Sequence, residues 1–216
     1  MRGFDPQTFL PSLVALVIAI AIHEFAHSAS ATALGDDTSQ RQGRLTLNPI
    51  VHFDPLGFIL LCILAAGYPA FAWGRPVPVN TYALRGGRRG MALVAFAGPL
   101  SNLAQAALAG LVVRAADVSQ FQSDAMFTFL GLYIQYNLLL AAFNMLPFPP
   151  LDGYNVLVGV VSDFWVQRLE PLRNYGAGVL LLLVFVGGRF IYQFTITPMF
   201  ELFAVVTGAA SLYSGF

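Results

Sequence analysis

The run His23-Glu24-Phe25-Ala26-His27 sets two imidazoles four positions apart with a carboxylate next to the first. On an α-helix, residues four apart lie about 40° apart around the axis and about 6 Å apart along it, so both imidazoles reach one ion while Glu24 stands beside it. Zinc hydrolases use this H-E-x-x-H pattern: the two His hold Zn²⁺ and the Glu is general base towards a water whose pKa the metal lowers to about 7. A catalytic zinc takes three protein ligands and keeps one position open, so a third ligand must come from elsewhere. His52 is the only other histidine. Asp152 stands in Asn144-Met145-Leu146-Pro147-Phe148-Pro149-Pro150-Leu151-Asp152-Gly153, where three prolines exclude a regular helix. Irregular backbone of that kind is tolerated at membrane depth where it lines a cavity, and Asp152 is the better candidate; its alternative role is to cap the helix that follows.

The elements that must carry these residues are membrane helices. Of 216 residues, 57% are apolar and 10% charged, with a mean hydropathy of +0.69, whereas about a quarter of the residues in a soluble domain are charged. Eleven Arg and no Lys balance eleven acids. That leaves no basic field for nucleic acid and no acidic tail. Cys62 is the sole cysteine, so no disulfide forms within the chain. Each crossing needs roughly 20 apolar residues. Apolar runs lie at 9–33, 55–74, 91–113, 125–148 and 175–200, and the second is broken by Gly67-Tyr68-Pro69. A short helix after a turn is expected within 151–167. The expectation is one all-α polytopic membrane domain over residues 1–216: about four full transmembrane helices, a re-entrant apolar segment, and room for a small β-hairpin in the 35–54 loop. The alternative of a secretory signal at the start has little support, because its n-region has one Arg offset by Asp5.

Geometry constrains the passes. His23 and His27 lie late in the first run and Asp152 follows the fourth, so a shared zinc requires those two spans to run in the same direction. A full crossing by 55–74 would make them antiparallel; that segment should therefore turn back. Arginine counting agrees. With 55–74 turning back, one side holds Arg41, Arg44, Arg75, Arg85, Arg88, Arg89, Arg168 and Arg173 and the other Arg2 and Arg114. The positive-inside rule makes the first side cytoplasmic, with the site opening to it and the N-terminus outside.

The paired motifs His23-Glu24-Phe25-Ala26-His27 and Asn144-x-x-Pro147-x-Pro149-x-Leu151-Asp152-Gly153 resemble the site-2 protease family of intramembrane zinc metalloproteases, in a minimal form. The resemblance extends to 48–57, to 75–80, and to Gly98-Pro99-Leu100-Ser101-Asn102. It implies one zinc per chain on His23, His27 and Asp152, Glu24 as base, and Asn144 in a supporting polar role near the substrate. It also implies that the substrates are transmembrane helices unwound at the cleavage point, met within the lipid bilayer of a prokaryotic-type cell membrane. These residues leave no room for a PDZ or CBS domain.

Other residues carry weaker signals. His52, between Asn-Pro and Asp-Pro turns, reads as loop structure before spare ligand or gate. Asn102 reads equally as packing beside Pro99 or as a substrate contact. Arg85, Arg88 and Arg89 read as a topology signal. Two other functions fit His and Asp within spans. A metal-ion transporter would repeat its ligands along a path, and a zinc hydrolase acting on lipid is opposed only by the resemblance. The oligomeric state is left open.

Overall fold

The computed structural model describes residues 4–68, 70, 72–115, 125–176, 178, 180, 182, 193 and 196–207. They form helices α1 (Pro6–Ala33), α2 (Thr38–Arg41), α3 (Pro55–Ala65), α4 (Arg88–Ala115), α5 (Ala125–Asn144), α6 (Asp152–Val160), α7 (Asp163–Leu169) and α8 (Thr197–Thr207), with a 3-10 turn at Pro49–His52. Three of these, α1, α4 and α5, are long and apolar enough to cross a membrane; at 1.5 Å per residue their 28, 28 and 20 residues span about 42, 42 and 30 Å. The run 175–200, expected as a further span, lies mostly outside the described residues.

Local chemistry sets the helix starts. Asp5 accepts from Gln7 N ahead of Pro6 and opens α1. Asp54 accepts from the N–H groups of Leu56 and Gly57 ahead of Pro55 and opens α3. In both, proline takes the first helical position, where no N–H is needed. After α1 the chain turns at Gly35, whose φ of +103° favours glycine.

The bundle packs through small residues, as membrane helices do when no aqueous hydrophobic effect separates lipid from protein. Ala15, Ala19 and Ala31 on α1, Ala92, Ala95, Ala106 and Ala109 on α4, and Ala141 and Ala142 on α5 are all buried. Larger side chains fill clusters between the helices, two of which tie three helices each. Val113, Ile134, Leu138 and Phe203 join α4, α5 and α8, while Leu16 and Leu61, with Tyr136 packed on them, join α1, α3 and α5.

Helix directions follow from the contacts. His27 meets Val94 and His23 meets Asn102, so α1 and α4 are antiparallel. Asn102 meets Asn137 and Gln105 meets Tyr133, so α4 and α5 are antiparallel as well. Hence α1 and α5 run the same way. Arg85 N donates to Leu34 O at 2.8 Å, so the whole stretch 35–84 begins and ends at one end of the bundle. Within it, α3 has only 11 residues, and the chain returns beside its own start: Phe53 and Gly74 form an antiparallel bridge and Arg75 N donates to His52 O at 2.7 Å.

The β-hairpin expected in 35–54 is absent. That loop carries α2 and the 3-10 turn instead, because its polar groups are satisfied locally: Asp36 accepts from Thr38 N and Asn48 caps Pro49–His52.

Candidate metal centre

His23 and His27 sit on the buried face of α1, and Asp152 opens α6 one irregular turn beyond the end of α5. Their ligand atoms converge. His23 Nε2 lies 3.3 Å and His27 Nε2 3.4 Å from Asp152 Oδ2, and the two Nε2 atoms are 2.9 Å apart. Leu151, not Asp152, holds the N-cap position of α6, and the Asp152 carboxylate is aimed at the imidazoles.

The far nitrogen of each ring is held from α4. His23 Nδ1 is 2.6 Å from Asn102 Oδ1 and His27 Nδ1 2.8 Å from Val94 O. Both partners are acceptors, so each ring carries its proton on Nδ1 and turns a bare Nε2 inward. Three acceptor atoms then face one another, and buried Asp152 Oδ2 has no hydrogen-bond donor. That arrangement suits a cation held between them. Tetrahedral Zn²⁺ with bonds of about 2.0–2.1 Å sets neighbouring ligand atoms about 3.3 Å apart, close to the separations here. Among the described residues this is the one cluster of His, Cys, Asp or Glu with that convergence.

Helix α4 supplies the support at four-residue intervals: Val94, Gly98 and Asn102 share one face against α1. Gly98 lies under both rings, where a Cβ would come within 2.4 Å of His27 Nε2 and 2.6 Å of His23 Cε1. Asn102 is fully buried. Its side-chain oxygen is taken up by His23 Nδ1, a partner that neither sequence reading of Asn102 named.

The cluster borders a cavity of about 630 Å³ whose wall includes Glu24, Asn144 and the extended chain at Trp73 and Gly74. Glu24 is one residue from His23 on the cavity side, and its Oε1 approaches Gly74, where a Cβ would be 3.3 Å away. Asn144 Nδ2 donates to Leu140 O at 2.9 Å, within its own helix. His52 stays apart from the cluster: it is buried in the loop and its Nε2 donates to Thr46 O at 2.8 Å. Arg44, which the sequence marks only as one arginine in the topology count, is buried and donates to Val51 O. Burial and the neighbouring Arg75 cation push its pKa down, and the Glu24 carboxylate works in the opposite direction. Arg85 and Arg88 have structural partners in Ala33 O and Asp163.

Three relatives have this site's chemistry in their names. The chain is 40% identical over 186 residues to "Putative zinc metalloprotease YwhC" of Bacillus subtilis, covering 83% of each chain. It is 32% identical over 180 residues to a Mycobacterium tuberculosis protein of the same designation, Rip2, covering 81% of this chain and 66% of that one. The third, MJ0611 of Methanocaldococcus jannaschii, is 30% identical over 156 residues, covering 72% of this chain and 73% of the other. No family model matches the chain. No solved structure matches it. An all-helical, membrane-length bundle around a His-His-Asp cluster defines the class of protein, and the similarity to YwhC makes the assignment: the chain belongs to this family of zinc metalloproteases.

Proposed function

We propose that the protein is an intramembrane zinc endopeptidase of the site-2 protease type, which hydrolyses peptide bonds within or beside transmembrane helices of other membrane proteins. The observation that supports this reading best is the convergence of His23, His27 and Asp152 inside a bundle of membrane-length helices. These three residues would hold one zinc per chain, which would supply Lewis-acid polarisation of the scissile carbonyl and a lowered pKa for the attacking water.

The chain's own groups do the rest. Glu24, on the cavity wall, takes a proton from the attacking water and later delivers it to the leaving amine. Asn144 spends one amide hydrogen on Leu140 O and keeps its other polar positions for the substrate backbone. A helix's carbonyls are hydrogen-bonded internally, so the substrate must unwind before it is cut. The chain at 72–79 borders the cavity and offers backbone to an unwound strand. In the membrane, α1, α4 and α5 cross, 55–74 enters and returns on one face, and the arginine count directs the site to the cytoplasm with the N-terminus outside.

The test uses Glu24→Gln, which preserves side-chain size but removes the base. Purified wild-type and variant protein are compared for zinc content and for cleavage of a single-span substrate, with and without chelator. Both should hold about one zinc per chain, and the variant should cleave about 10²–10⁴ times more slowly. Full activity in the variant would refute the base role. Zinc flux into vesicles with no cleavage by wild type would replace the protease with a transporter.

A further inference from the structure

Two asparagines in the middle of the bundle are completely buried, Asn102 on α4 and Asn137 on α5. Polar side chains at such positions persist when every donor and acceptor is used, and these are joined in one directed series. His23 Nδ1–H donates to Asn102 Oδ1 at 2.6 Å. Asn102 Nδ2 donates to Asn137 Oδ1 at 2.8 Å and points a longer, 3.4 Å bond at Ala19 O. Asn137 Nδ2 donates to Tyr133 O at 2.9 Å. The series ends on a backbone carbonyl, which can only accept. Working back from it, the orientation of each amide is forced, and so is the proton on His23 Nδ1.

The two histidines are therefore held differently. His27 bonds a backbone carbonyl, Val94 O, which survives any side-chain change at that position. His23 depends on Asn102, and Asn102 on Asn137. Resting on the zinc reading above, we infer that Asn102 and Asn137 form a positioning relay that sets the tautomer and direction of His23, and so couples α5 to metal affinity. Neither residue is placed among the groups that touch substrate. Outer partners of a ligating histidine typically contribute about 10–100-fold to metal affinity.

Zinc affinity, measured by chelator competition on the purified full chain, distinguishes this from packing. Asn102→Leu should weaken zinc binding by about 10–100-fold, and Asn137→Leu should weaken it less. The double variant should be no weaker than Asn102→Leu alone, because Asn137 acts only through Asn102. Asn102→Asp keeps an acceptor for His23 Nδ1–H and should stay within a few-fold of wild type. A packing role reverses that order, since Leu suits an apolar core better than Asp. The absorption spectrum of Co²⁺-loaded protein should change in Asn102→Leu and be restored in Asn102→Asp. Should Asn102→Leu not fold, Asn137→Leu tests the same relay with the His23 bond intact. Wild-type affinity in the Leu variants, or additive losses in the double variant, would overturn the relay. Failure of wild type itself to bind zinc would instead overturn the function proposed above.

Discussion

Gly98 shows how narrow the tolerance is beside the two imidazoles. A Cβ there would approach His27 Nε2 to 2.4 Å and His23 Cε1 to 2.6 Å, so any side chain must displace the rings whose nitrogens converge on Asp152. Gly98→Ala should weaken zinc binding by at least about tenfold, the lower end for disturbed ligand support, and cost about 1–3 kcal/mol through overpacking. Gly131→Ala, with nothing within 4 Å of its Cβ, is the matched control and should leave zinc binding unchanged. Equal zinc affinity in the two variants would show that the rings have room to move. That His23 and His27 turn their rings to one point is legible from their spacing alone. The need for glycine at 98 is not, because the rings it accommodates are more than seventy residues away in sequence.

The connection between α1 and α4 is organised around Asp36, which is fully buried. Its carboxylate accepts from Thr38 N at 3.0 Å, from the Thr38 hydroxyl, and from Asn80 N at 2.6 Å, so it pins the loop after α1 to the chain that leads on to α4. Burial alone would raise its pKa, but these hydrogen bonds outweigh burial and hold it below the ordinary 3.8. A carboxyl whose folded pKa is depressed contributes stability above its unfolded pKa and loses that contribution as pH falls through the folded value. Asp36→Ala should therefore destabilise the protein at pH 7, by about 1–3 kcal/mol as for other lost buried acceptors. The gap from wild type should narrow below about pH 4. Thermal unfolding of both proteins from pH 7 to pH 3 checks this, and a gap that stays constant over the whole range would remove the carboxylate from the explanation. In the sequence, Asp36 reads as an ordinary loop acid. Only the fold brings the Asn80 N–H to it.

At the scale of the molecule, one hydrogen bond constrains the path of the chain. Arg85 N to Leu34 O brings the end of a long excursion back to where it began, and the Phe53–Gly74 bridge does the same for the apolar segment inside it. In a bilayer, positions on either side of that segment should face the same compartment. With Cys62→Ser as background, cysteines placed at Asp54 and Gly87 should react with an impermeant thiol reagent from the same side of the membrane. Labelling from opposite sides would mean that the segment crosses, which the parallel direction of α1 and α5 forbids. The two spans must be parallel for His23 and Asp152 to meet, so this experiment tests the shared zinc site as well as the path.

Composition and spacing by themselves determined that the chain is built from apolar helices and that His23 and His27 share a helix face, and they marked Asp152 as the better candidate to join them. Those conclusions depend on hydropathy and helical periodicity, which act over a few turns and can be read locally. They also depend on a counting constraint, since helices sharing one ion must run in compatible directions. The tertiary structure decided the rest. It set the Asn102 oxygen against His23, kept His52 in the loop as its turn flanks suggest, replaced the expected hairpin with helical turns, and brought the chain at 72–79 to the cavity. The physical reason is common to all four. A buried donor or acceptor must find a partner, and which partner it finds depends on what packing brings within about 3 Å, a distance that has no counterpart in sequence separation.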